Sequence, residues 1–294
     1  MYKIHNDIFC LSIKERGAEL EEVSIHGINI LWKGKELWNA QSPLLFPVIG
    51  SLKDGYYLYN QQKYVLNPHG FIKEQVFDIV EKTSNSITLK SSYTEETYKV
   101  YPFIFEFYIT YTLLFNKIKI SIEIKNLEQK TIYFSLGLHP GLDYAGLKEL
   151  IGEDLYLQMN VQQEVQAILF DPVYMKNTYP TKLSPSVKLS EFSKELIQKR
   201  TICYQGVQEI ELGAETKKIK IKHSMPFTAF WQSRPENPKF ICVEPWYGLP
   251  DECITTHQLE KKKEIISLEA RGTFKTELEI SYLEGAESYE NYSL

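Results

Sequence analysis

Two histidines and one glutamate stand in settings that suit proton transfer. His69 lies between Pro68 and Gly70, and His139 between Leu138 and Pro140. Each imidazole therefore hangs from a conformationally restricted backbone, which helps a site keep its geometry. Glu244 follows the apolar run Phe240-Ile241-Cys242-Val243, so its carboxylate emerges at the end of what reads as a buried strand. Partial burial raises a carboxylate pKa and makes the group a better base near neutral pH. Taken singly, each histidine also fits a hydrogen-bonded turn residue, and Glu244 a strand-end carboxylate paired with Lys or Arg. Trp231 and Trp246 are candidate stacking rings, with the apolar core as the other reading of a Trp in such segments. His5, His26, His223 and His257 have no comparable frame.

These residues fall in segments that break a strand pattern: PLLFPVIGSLKDG (43–55), NPHGF (67–71), SLGLHPGL (135–142) and KFICVEPWYGLPD (239–251). Interruptions of this kind often hold function. The elements that must position them read as strands. Phe105, Phe107, Ile109, Tyr111 and Leu113 alternate with polar or smaller partners, then Asn116-Lys117 intervenes, then Ile118, Ile120, Ile122 and Ile124 alternate with Lys, Ser and Glu. Period two on both sides of a short turn predicts an antiparallel hairpin with one buried and one wet face. Similar alternation occurs in Ile8 to Ile13, Val76 to Val80, Ile87 to Leu89, Ile219 to Ile221 and Thr276 to Tyr282. The main helical candidate is Leu189 to Arg200, where Phe192 and Leu196 lie four apart beside Ile197. The polar stretch Asn177 to Ser186 is too short for a linker, and no fixed-period repeat is present. The expectation is an all-β chain: one domain over residues 1–294, a large sandwich of packed antiparallel sheets.

Composition narrows the function classes. The 20 Tyr and 15 Phe favour strands or a stacking surface. A formal charge of -5 without clustered Lys and Arg gives no footprint for nucleic acid; Lys261-Lys262-Lys263 reads as a solvated turn. No apolar run reaches the roughly 18 residues of a membrane helix. The first residues lack the blocks of a signal peptide, and Cys10, Cys203, Cys242 and Cys253 have no repeated spacing, so a cytoplasmic protein with reduced thiols is expected. Cys242, Cys253 and His257 match no common zinc spacing, so no metal is expected.

The ordered series FPVIGSLKDG, HGF, GLHPGL and FICVEPWYGLPD resembles the aldose 1-epimerase (galactose mutarotase) superfamily, and most closely its LacX-like bacterial branch, over nearly the whole chain. The resemblance implies a galactose mutarotase-like supersandwich with an open sugar cleft, a small-molecule sugar as partner, no metal and no organic cofactor. It implies Glu244 as general base, His139 (downstream of Asn126) as general acid, and His69 as a ligand of the sugar and its ring oxygen. Trp231 and Trp246 become candidate sugar-stacking rings. An Arg frequent in the family falls on Ser51, which leaves Lys53, two residues on, as the candidate replacement. Asp171 and Asp251 are the candidates for a sugar-binding aspartate. The chemistry expected is hemiacetal opening, with a carboxylate and an imidazolium on opposite sides of the C1 to O5 unit. Two other readings stay open at this point: a sugar-binding or regulatory protein with little catalysis, and a hexose-6-phosphate 1-epimerase. The latter should gather several cations in the cleft, whereas of Arg16, Arg200, Arg234 and Arg271 only Arg234 lies near a site segment.

Overall fold

The structure is a computed structural model that describes residues 1–34, 37–161, 164–233 and 238–285. Its largest sheet grows from the alternating hairpin. In strands Phe105–Leu114 and Lys117–Asn126 every second residue is buried, and Phe107 faces Ile124 while Ile109 faces Ile122. The connecting loop is Phe115-Asn116, one residue earlier than the expected Asn116-Lys117, because Lys117 is already paired with Leu114.

Around this hairpin nine strands run in the order Ser186–Lys188, Tyr156–Met159, Glu209–Gly213, Lys217–His223, Thr273–Glu284, Lys117–Asn126, Phe105–Leu114, Ser86–Ser92 and Asp78–Lys82. The last was expected from Val76 to Val80. Its five residues are all exposed, as an edge strand with few neighbours allows, and a register shift between Ile79 and Glu81 interrupts its pairing.

A second sheet has eight strands. Along it lie Tyr174–Thr181, Val165–Asp171, Thr201–Gln205, Phe227–Trp231, Phe240–Tyr247, Leu136–Leu138 and Leu44–Leu45, and Gly141–Asp143 also pairs with Phe240–Tyr247. All strand pairings described are antiparallel. One apolar cluster joins the two sheets and a four-stranded N-terminal sheet, from Ile4 through Ile122 to Tyr282, so the chain is an antiparallel β-sandwich. Within strand Phe240–Tyr247, Ile241 and Val243 point into this core. Trp246 joins a separate small cluster with Leu45, Ile49, Ile168, Cys203, Phe227 and Ala229 on the opposite face. Period two thus gives the second sheet two buried faces.

The helix expected at Leu189 to Arg200 spans Leu189–Lys199. Two others were not anticipated. Glu95–Val100 starts at a capping box between Thr94 and Thr97, and Tyr144–Ile151 starts where the Asp143 carboxylate accepts the Gly146 amide. Both are short and begin on polar caps, without the long apolar period that betrays a helix in sequence.

His223, at the end of strand Lys217–His223, is 6 % exposed and meets Thr228 Oγ1 through Nε2 at 2.9 Å. Burial pushes its pKa down from 6.5 to about 4, against a smaller opposing backbone hydrogen bond. A pKa below its unfolded value means stability fully present above about pH 6.5 and lost as pH falls toward 4. The linkage relation gives roughly 3 kcal/mol by pH 4 for a group this buried. Urea midpoints should therefore fall over that interval, and less steeply in His223→Gln; equal slopes would show that His223 is not buried neutral.

Candidate active site

Backbone hydrogen bonds knit the four interrupted segments together. Gly137 pairs with both Leu45 and Trp246, and Gly141 pairs with Cys242. The His139 amide donates to Pro43 O, Val243 N donates to Pro140 O, and Ser135 N donates to Pro47 O. His69 N donates to Gly50 O while Gly50 N donates back to His69 Nδ1 at 3.2 Å. Gly70, with φ +69°, lets this turn approach the chain: a Cβ there would lie 2.2 Å from Phe46 O. Phe46 in turn packs against Phe71, Tyr101, Phe105, Phe107 and Phe134, which ties the site to the main core.

Glu244 sits in the middle of strand Phe240–Tyr247, opposite Ala229, and His139 sits at the break between the two short strands that pair with the other edge of that strand. Glu244 is 1 % exposed and His139 7 %. His139 Nε2 lies 3.2 Å from Glu244 Oε2. The two groups are direct neighbours. Oε2 and His139 Nδ1 are buried without a well-aligned hydrogen-bonding partner in the protein.

Burial raises the Glu244 pKa well above the usual carboxylate range, with a smaller lowering by the Trp246 indole N–H. Burial likewise lowers the His139 pKa well below its usual value, aided by the nearby His69 and Lys73. Desolvation penalises the charged form of each. The pair therefore favours one shared proton, held as carboxylic acid and neutral imidazole. Cys242, two residues before Glu244 on the same face, completes a cluster in which one donor atom each of His139, Cys242 and Glu244 lies within 4.8 Å of the others.

The His69 ring stands edge-on to His139 with centroids 5.5 Å apart. Trp231 borders His139 at 5.7 Å. Trp246 is 3 % exposed, so most of its ring surface is covered. Lys53 Nζ lies over the Tyr174 ring, 4.7 Å from its centroid, and not in an ion pair with the dyad. Its amide donates to Asp251 Oδ2 at 2.8 Å. Asp251 is buried in an ion pair with Lys262, and Asp171 is an exposed partner of Lys176 at 3.2 Å. Asn126 spends its side-chain amide on the carbonyls of Lys130, Leu268 and Glu269. Ser51 accepts the Asp251 amide through its carbonyl. Arg234 lies outside the described residues.

Two residues went unnoticed in the sequence. Trp38 covers His139, with ring centroids 4.9 Å apart, and also contacts Trp231 and stacks on Phe240. Gly141 permits this, since a Cβ there would lie 2.8 Å from Trp38 Cζ3. The signal was a Trp inside a polar stretch without alternation. Lys73 is the other: its Nζ donates to Pro68 O at 3.1 Å, and its charge acts on both His69 and His139. It stands four residues beyond His69, so only the turn at 69–73 reveals it.

A family model described as Aldose 1-epimerase matches residues 1–269. The plasmid-borne protein LacX of Lactococcus lactis subsp. lactis is 25% identical over 300 residues, covering 96% of this chain and 99% of that protein. Among solved structures, a galactose mutarotase related enzyme from Lactobacillus acidophilus superposes with a TM-score of 0.89 at 26% identity, covering 97% of this chain and 98% of that one. A galactose mutarotase-like protein from Lactobacillus casei shares the fold with a TM-score of 0.86 at 24% identity, over 96% of this chain and 99% of that one. Among the described residues no helix is long and apolar enough to cross a membrane.

Proposed function

The chain belongs to the aldose 1-epimerase family, and from that premise we propose that it is a mutarotase, interconverting the α and β anomers of a hexose by opening and reclosing the ring. The observation that carries this reading is the buried 3.2 Å contact between Glu244 and His139. Glu244 takes the proton of the anomeric hydroxyl while His139 Nε2 gives a proton to the ring oxygen; the C1–O5 bond breaks and C1=O1 forms. Rotation about C1–C2 presents the other face of the aldehyde, and the same two groups reverse their transfers.

The pair holds one proton throughout. For ring opening that proton first passes from Glu244 to His139, giving carboxylate and imidazolium, the less favoured of its two arrangements, and the transfers with the sugar then return the pair to carboxylic acid and neutral imidazole in the open-chain state. Burial, which disfavours both charges, therefore favours the enzyme state that accompanies the open chain. Adjacent groups suit this task because O1 and O5 share C1. In this reading His69 holds the sugar beside the acid, Trp231 and Trp38 flank it, and Lys53 serves the rim. The exchange consumes no cofactor. One domain over residues 1–294 carries it, in a reducing, cytoplasmic compartment to which four unpaired cysteines point.

Polarimetry with fresh α-anomers of several aldoses, and with a phosphorylated hexose, tests the reading. The protein should speed the approach to equilibrium for at least one of them, and a folded protein that speeds none would overturn it. The pH profile follows from the shifts. Activity needs one proton on the pair, so it falls on the acid side when His139 also protonates, and its pKa is lowered. On the alkaline side it falls when Glu244 loses the only proton, and its pKa is raised. The acid limb is therefore expected below the ordinary imidazole value of 6.5 and the alkaline limb above the ordinary carboxylate value of 4.5. An acid limb above 6.5 or an alkaline limb below 4.5 would contradict the shared proton.

A further inference from the structure

We infer that Cys242, His139 and Glu244 form a binding site for a zinc-like divalent transition metal, which excludes sugar from the dyad when occupied. The metal site goes beyond the mutarotase reading and does not depend on it, whereas the exclusion of sugar rests on that reading. Three donors of different type converge here: a thiol sulfur, an imidazole nitrogen and a carboxylate oxygen, one atom from each lying within 4.8 Å of the others. Zinc takes these three ligand types at about 2.3 Å from sulfur and about 2.0–2.2 Å from nitrogen and oxygen, so ligand atoms around a tetrahedral ion lie roughly 3.3–3.6 Å apart. The imidazole–carboxylate spacing of 3.2 Å already matches, and the sulfur, within 4.8 Å of both, needs to close by at most about 1.5 Å.

A second observation points to a ligand. Glu244 Oε2, on a side chain 1 % exposed, has no well-aligned hydrogen-bonding partner although it faces the cluster. A carboxylate oxygen left in this state is costly, and a cation or a donor hydrogen relieves it. The fold supplies the rigidity that metal sites need. Cys242 and Glu244 are two residues apart on one strand, hence on one face, with Gly141 paired to Cys242 and Ala229 opposite Glu244. Trp231 lies across from Cys242 and Trp38 fills the space beside Gly141, so indole rings wall the donors in. Three protein ligands leave a fourth position for water, the arrangement of an accessible zinc site. On coordination the Cys242 thiol gives up its proton, and Glu244 any proton it carries, to solvent.

Alkaline-earth ions should be ignored, because Ca²⁺ and Mg²⁺ demand several oxygen ligands and disfavour thiolate. Sequence spacing hides the site, since His139 comes from the break between strands Leu136–Leu138 and Gly141–Asp143, far along the chain from Cys242 and Glu244.

The test uses the full-length protein with cobalt(II) chloride as a spectroscopic probe and zinc chloride as the inhibitor. Cobalt should produce a thiolate-to-metal charge-transfer band that is lost in Cys242→Ala and in Cys242→Ser, the two variants guarding against a folding failure in either. Zinc should slow mutarotation in competition with sugar, a chelator should restore the rate, and magnesium should have no effect. Measured against its own zinc-free rate, Cys242→Ala should need about tenfold more zinc or beyond for half inhibition. No cobalt band in the wild-type protein, or equal zinc sensitivity of wild type and both variants, would overturn the site. A cobalt band in a protein that accelerates no anomerisation would leave the metal site standing and remove the mutarotase reading instead.

Discussion

Glu244→Gln should lower the mutarotation rate roughly 10²- to 10⁴-fold, the range that a positioned general base contributes, while leaving the fold intact. Glutamine keeps the size of the side chain at the position paired with Ala229, so the local packing survives. It lacks the basicity to take the anomeric proton. The stability effect has a definite sign. The Glu244 pKa is raised in the folded state, so its contribution is fully present below the unfolded value of 4.5 and is lost as pH rises through the folded value. The neutral amide carries no such loss, and Glu244→Gln should therefore be at least as stable as wild type under alkaline conditions. Polarimetry and urea unfolding measured together decide the matter. Rate loss with equal or higher stability supports the base, whereas rate loss that tracks a lowered urea midpoint would reduce Glu244 to a structural residue. Sugar affinity should change far less than turnover, because the amide still offers hydrogen bonds to a hydroxyl.

His139→Asn should produce a fall of comparable size, roughly 10²-fold or more, through loss of the group that protonates the ring oxygen. The sharper expectation concerns the double variant. If one proton passes between sugar and a single unit, removing either member disables the unit, and Glu244→Gln/His139→Asn should be no slower than the slower single variant. Multiplied effects would mean two independent contributions. His69→Asn provides the contrast within the same site. Its ring stands edge-on to His139, and His139 rather than His69 is the ion-pair partner of Glu244, so affinity and turnover should weaken together.

Much of this molecule is local and was legible in the residue order. The strict alternation through Phe105–Leu114 and Lys117–Asn126 depends only on the two-residue period of a strand, so the hairpin and its buried face follow from residue types alone. The same locality marked Glu244, an acid after four apolar residues, and His139, held before a proline. Their proposed partnership came from the resemblance that the ordered motifs carry, not from spacing.

What only the tertiary structure decided is distance between segments far apart in the chain. Gly137 pairs with Trp246 and Gly141 with Cys242, and this register sets His139 Nε2 3.2 Å from Glu244. It also brings Cys242 into the cluster and lays Trp38 on His139. Asp251 shows the same division: its motif suggested a sugar ligand, but burial beside Lys262 commits the carboxylate to an ion pair and to the Lys53 amide. Side-chain type and local period fix which face of a strand is buried. Which strand it then lies against, and therefore which donors meet and lose their water together, depends on pairings between distant segments that no local pattern encodes.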